Sequence, residues 1–139
     1  MPQKTIADAG LLVAYLDEDE AHHEWAVQMF RRNECFYTCE AVLAEACARL
    51  TCLGIAPWRV IRLINDEVLL LDFNLETKAH RVEQLMTKYR DQPMDFADAC
   101  LVVMTEQFAD SLVVTLDAKD FSVYRRHERQ VVPFLAPRK

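Results

Sequence analysis

Five carboxylates in this chain stand where apolar neighbours leave little reason for them. Asp8 closes the run Thr5-Ile6-Ala7-Asp8, and Asp117 closes Ser111-Leu112-Val113-Val114-Thr115-Leu116-Asp117. Glu45 and Asp98 each interrupt a near-continuous apolar helix pattern, and Asp95 precedes Asp98 by three residues. Removing an ionised carboxylate from water costs on the order of several kcal/mol, so such groups are seldom buried without a partner. A fold that draws several of them together needs a cation among them.

The pattern around these acids alternates between strand and helix periods. Lys4 to Ala7 reads as a strand, and Ala9 to Leu16, apolar on all sides, as a buried helix. Trp25, Ala26, Met29 and Phe30 recur at helical spacing within His22 to Arg32. Cys35 to Thr38 is a second strand, followed by an alanine-rich helix from Glu40 to Leu53 that Gly54 stops. Pro57 suits the first turn of a helix running to Ile64, and Val68 to Leu71 is a third strand. Leu75, Ala79, Val82, Leu85, Met86 and Tyr89 mark an amphipathic helix; Phe96 to Phe108 is another, and Leu112 to Thr115 a fourth strand. Gln130 to Phe134 forms a fifth strand that Pro133 confines to an edge. This alternation predicts one α/β domain over residues 1–139, with a mostly parallel sheet of four or five strands and helices on both faces. In such folds ligands bind beyond the carboxyl ends of the strands, where Asp8 and Asp117 lie.

Composition bounds the partners. The 139 residues suit one domain with a real core, and 52% hydrophobic against 27% charged is a globular balance. A net charge of -6 argues against a nucleic-acid partner unless bound divalent cations neutralise part of it. No segment is long enough for a membrane span and Met1-Pro2-Gln3-Lys4 does not resemble a signal peptide, so a cytoplasmic location is expected. The five cysteines form no C-x-x-C pair and read as small buried hydrophobes in a reducing compartment; a zinc site from Cys35, Cys39, His22 and His23 fits no usual spacing.

Each acid also has an ordinary explanation. Asp8 and Asp95 suit helix N-caps, Asp98 an acidic first turn, and Glu45 a pair with Arg49 four residues on. Asp117 and Asp120 occupy a turn after a strand. That all these coincidences hold at once is harder to accept than any one of them.

With those residues in view, the whole chain resembles the PIN-domain ribonucleases, in particular the VapC-like toxins of type II toxin–antitoxin pairs. Ile6-Ala7-Asp8-Ala9-Gly10-Leu11-Leu12-Val13-Ala14 looks like the family's opening strand and first Asp, and Leu43-Ala44-Glu45-Ala46 contains its helical Glu. Pro93-Met94-Asp95-Phe96-Ala97-Asp98-Ala99 is similar to its third motif, and Val114-Thr115-Leu116-Asp117-Ala118-Lys119-Asp120-Phe121 to its fourth. Ala9 departs from the hydroxyl residue often found at that place. The resemblance implies a Mg²⁺- or Mn²⁺-dependent endoribonuclease. Asp8, Glu45, Asp98 and Asp117 would be its catalytic metal ligands, with Asp95, Thr115 and Asp120 in support. It further implies a cognate antitoxin, held in a groove to which Trp58, Ile61 and Ile64 are assigned, and a homodimer. Arg125, Arg126 and Arg129, with His127 beside them, are the candidate contacts to RNA phosphates.

Three other readings compete. Metal-independent cleavage through His22, His23 or His127 would leave a cyclic phosphate, but these histidines sit in charge-rich stretches that suit the surface. A phosphoryl-accepting receiver domain would want paired acids after the first strand, and Asp8 has no acidic neighbour there. A non-catalytic partner-binding module would tolerate loss of the acids.

Overall fold

The computed structural model describes residues 3–138. Strand β1 (Lys4–Ala7) leads into α1 (Ala9–Leu16) and α2 (His23–Arg32), then β2 (Phe36–Thr38), α3 (Glu40–Cys52) and α4 (Trp58–Asn65). β3 (Leu69–Leu71) is followed by α5 (Leu75–Lys88), α6 (Phe96–Gln107) and β4 (Ser111–Val114). The chain finishes with α7 (Ala118–Val123), β5 (Arg125–Arg126), β6 (Gln130–Val131) and β7 (Phe134–Leu135).

Five of these strands form a parallel sheet in the order β3-β2-β1-β4-β7. The chain runs outward from β1 to β3, then crosses back to β4 on the other side of β1. With right-handed crossovers, the helices of the two runs fall on opposite faces. The reversal of direction lies between β1 and β4, whose ends are level because Ala7 pairs with Val114. Whatever follows those two residues is delivered to one crevice.

The helices that read as apolar all round are the ones the core encloses. In α6, every residue from Ala97 to Thr105 is buried, Asp98 included, and in α1 every residue from Ala9 to Ala14. α1 packs on α2 and α3, α3 on α6, and α6 on α5. Of the apolar stripe expected on α5, Val82, Leu85 and the adjoining Tyr89 are buried, while Leu75, Ala79 and Met86 remain exposed. α3 ends at Gly54, whose φ of 77° opens the left-handed turn that lets the Ile55 N–H reach back to the Leu50 carbonyl at 2.9 Å. Among the described residues no helix is long and apolar enough to cross a membrane.

The C-terminal segment differs from the expected single edge strand over Gln130 to Phe134. Gln130–Val131 turns away to pair antiparallel with Arg125–Arg126, and only Phe134–Leu135 joins the sheet, parallel to β4 at its edge. Pro133 divides the two because it has no N–H to donate, while its carbonyl accepts from Val113 at 3.0 Å. Between β5 and β6 the chain reverses through His127 and Glu128, both at positive φ. That unfavourable turn is held from α5 and α6: Arg81 pairs with Glu106 and Glu128, and the His127 N–H donates to Glu106. Neither this hairpin nor α7 was expected from the hydrophobic pattern.

The burial of α6 has a measurable consequence. Leu101→Ala, at a fully enclosed position, should lower unfolding free energy by about 3 kcal/mol in urea titration. Leu75→Ala, on the exposed side of α5, should cost under about 1 kcal/mol. Equal small losses at both would mean that α6 is not the core helix described.

Candidate active site

Two strand ends and two helices build the site. Directly after β1, Asp8 caps α1, its Oδ1 accepting from the Ala9 N–H at 2.7 Å. Directly after β4, the Thr115 hydroxyl donates to Asp8 Oδ2 at 2.6 Å and itself accepts from the Asp117 N–H at 2.9 Å. The two adjacent strands are thus tied by side chains where the backbone ladder stops. The first turn of α1 also lies close against the loop after β4, since a Cβ placed on Gly10 would meet Leu116 Cγ at 3.4 Å.

Asp95 caps α6 by accepting from the Asp98 N–H at 2.8 Å. This sets Asp98 one turn into a buried helix, where the Tyr124 hydroxyl donates to its Oδ2 at 3.0 Å. Glu45 reaches the same place from the middle of α3. The result is a pocket of about 330 Å³ lined by Asp8, Glu45, Asp95, Asp98, Asp117 and Asp120, together with Gly10, Arg49, Pro93 and Leu116. Asp8 and Asp98 are buried in its wall, Glu45 and Asp120 are half-buried, and Asp95 and Asp117 are exposed. The capping roles and the convergence are therefore both real: the caps are what hold the carboxylates in place.

The crowding shows in the acidities. Burial raises the Asp8 carboxyl above the usual range, opposed by its bonds from Thr115 and Ala9 and reinforced by the charges of Asp117 and Asp95. Burial pushes Asp98 up to about 7, with Asp95 and Asp8 adding repulsion and the Tyr124 hydroxyl opposing. Glu45 is raised to about 7 by burial, then by the charge of Asp95 and a hydrogen bond shared with it. Asp120 rises to about 6 through desolvation and its contact with Asp117. Carboxylates so placed hold protons more readily than free ones, and a cation among them would relieve their repulsion.

As the side chains lie, no three His, Cys, Asp or Glu groups among the described residues form a ready ligand set. The donor chemistry nevertheless fits a hard divalent ion. All the titratable donors are carboxylate oxygens, and an ion such as Mg²⁺ keeps several waters and takes only one or two carboxylates directly. The cysteines and histidines do not gather. Cys39 and Cys100 lie beside each other in the core, and the His23 ring meets the Ala14 carbonyl at 2.7 Å.

The structure sets the other candidates apart from the pocket. Arg125 donates to the carbonyls of Ser122, Val123 and Tyr124, and Arg126 to those of Thr105 and Ala109. Arg126 thus ties the hairpin to α6 and Arg125 folds back on the end of α7, whereas Arg129 is exposed. None of His22, His23 and His127 lines the pocket. On α4, Val60 and Leu63 face the core, Ile64 is half-buried, and Trp58 and Ile61 are 53% and 45% exposed. Two residues are added by the structure: Tyr124 behind Asp98, and Arg49 in the pocket lining. Tyr124 carries no local signal, because only packing brings it to Asp98. Arg49 had one, its place four residues after Glu45, but in sequence it figured only as the pairing partner of Glu45.

Residues 5–126 match the PIN domain. No curated protein matches the chain. Among solved structures, VapC20 of Mycobacterium tuberculosis, a sarcin–ricin-loop-cleaving toxin, aligns with a TM-score of 0.70 at 13% identity, over 79% of this chain and 87% of its own. DNA-bound VapBC from Salmonella typhimurium aligns with a TM-score of 0.59, also at 13% identity, over 97% and 98%. At such identities the likeness establishes the fold.

The raised acidities make a prediction whose sign is fixed. Glu45 and Asp98 titrate near 7 in the folded protein, above the ordinary 4.5 and 3.8. Between about pH 4 and 7 the folded state therefore binds more protons than the unfolded chain, so stability falls as pH rises through that window. In chelator, the melting temperature should drop by about 5 °C from pH 5 to pH 8. Saturating Mn²⁺ should restore most of it at pH 8, and Asp98→Asn should flatten the slope. A melting temperature that climbs with pH in chelator would rule out the crowding described.

Proposed function

The chain belongs to the PIN-domain family, and on that premise we propose that it is a Mg²⁺- or Mn²⁺-dependent endoribonuclease serving as the toxin of a toxin–antitoxin pair. One observation carries the proposal: carboxylates from four separate stretches of chain line a single pocket at the reversal point of a parallel sheet. The fold likeness to VapC20, itself a toxin that cleaves the sarcin–ricin loop, supports RNA as the substrate class.

Asp8, Glu45, Asp98 and Asp117 would hold the ion. Bound there, a divalent cation would supply a Lewis acid and a water made nucleophilic near neutral pH. The chain's own part is orientation. Thr115 and the Ala9 N–H fix both oxygens of Asp8, and each oxygen retains a lone pair for a further partner. Tyr124 fixes Asp98, and Asp95 fixes the turn that carries it. Asp120, half-buried beside Asp117, lines the pocket as a supporting carboxylate. Neutralising these charges also removes the main objection to RNA binding by a chain of net charge -6.

The partners follow the same reading. The exposed Trp58 and Ile61 on α4, with half-buried Ile64 beside them, support a docking face for an antitoxin. Exposed Leu75, Met86 and Phe96, which line one cavity of about 530 Å³ along α5, support self-association into a homodimer. Of the C-terminal arginines, Arg129 is the one proposed to meet RNA.

Mixed cellular RNA incubated with Mn²⁺ or Mg²⁺ should be cut to fragments with 5′-phosphate ends, and a chelator should stop the reaction. Asp8→Asn, Asp98→Asn and Asp117→Asn should each slow cleavage by about 100-fold or more while the protein stays folded. Cyclic-phosphate ends, or cleavage that persists in chelator, would replace this mechanism with a histidine-based one.

A further inference from the structure

The acid constellation leaves one lining residue without a role. Arg49 sits one turn beyond Glu45 on α3 and is, among the described residues, the single basic side chain lining the pocket. Its ionic partner is Glu45, at 3.7 Å between Nη1 and Oε2, too long for a hydrogen bond, and its side chain is 49% exposed. Three arginines elsewhere are firmly engaged. Arg81 holds Glu106 at 2.8 Å, Arg125 holds carbonyls at 2.9 Å, and Arg126 holds one at 2.8 Å. The guanidinium at the acid pocket is held only by that long ion pair, unlike these three.

The geometry points to Arg49 as a substrate-binding residue of this site, its guanidinium taking the non-bridging oxygens of an RNA phosphate beside the scissile bond. The assignment rests on the ribonuclease reading and deepens it. A pocket walled by six carboxylates repels a phosphodiester, and charge neutralisation alone gives it no grip on the strand. A planar fork with permanent charge at the rim supplies that grip, because it can meet two phosphate oxygens at once. Glu45 keeps the fork near the pocket in the absence of RNA. A cation drawing on the Glu45 carboxylate weakens its hold on Arg49, so cation and RNA favour each other's binding. An arginine serving only as a helix-surface partner of Glu45 has no such linkage.

The test compares wild type, Arg49→Ala and Arg49→Lys on a single-stranded RNA oligonucleotide at saturating Mn²⁺ across a salt series. Arg49→Ala should raise KM about tenfold, with a smaller effect on kcat. It should also make the dependence of log KM on log salt shallower by about 0.7, the value for one lost phosphate contact on a single strand. Arg49→Lys should restore the salt slope but only part of the KM, and added guanidinium ion should partly rescue Arg49→Ala. Fluorescence anisotropy of the same oligonucleotide on the Asp98→Asn protein, with and without Arg49→Ala, gives the affinity loss without turnover. Unchanged KM, salt slope and anisotropy, with only Mn²⁺ affinity altered, would overturn the assignment and leave the ribonuclease reading standing. A wild type that does not cleave in Mn²⁺ would sink that reading, and this assignment with it.

Discussion

The hydrogen bond from Thr115 to Asp8 joins the ends of β1 and β4, and the geometry of the site depends on it. A parallel pair of strands ends with carboxyl-terminal groups unpaired, and the sheet reverses direction between these two. By accepting from Thr115 on one oxygen and from the Ala9 N–H on the other, Asp8 closes that gap and starts α1. The same bonds favour its charged form, while burial and the neighbouring acids oppose it. A stable contact and an electrostatic strain thus share one side chain.

The remaining acids divide by depth. Asp98 is set in a helix buried along nearly its whole length, with Tyr124 holding one oxygen. Asp117 and Asp95 are exposed at the rim, and Glu45 and Asp120 lie between. The inner acids are rigid because helix caps, a strand end and an aromatic hydroxyl each fix them. That arrangement keeps the carboxylates close, and their mutual repulsion is free energy that a bound cation would relieve.

Cations follow the opposite logic. The visible cluster Arg125, Arg126 and Arg129 looks in sequence like a phosphate-binding patch, yet Arg126 ties the hairpin to α6 and Arg125 folds back on the carbonyls at the end of α7. Arg49, isolated in sequence among apolar residues, shares a pocket with all six acids. Charge density along a chain says little about charge density in space, because a crossover can bring one residue further than a cluster can reach.

Sequence alone determined the order and type of most elements, since the switch between periods of two and 3.6 residues reflects which side of each segment faces the core. It also determined the four acidic stretches, because a carboxylate amid apolar neighbours is conspicuous whatever the fold. The final strand eluded it, as Pro133 splits Gln130 to Phe134 between two sheets and each piece is too short to show a period. Only the tertiary structure decided that Tyr124 meets Asp98 and that Arg49 enters the pocket. It alone showed that Arg126 reaches across to α6, for contacts between distant segments depend on how helices pack and leave no periodic trace in the chain.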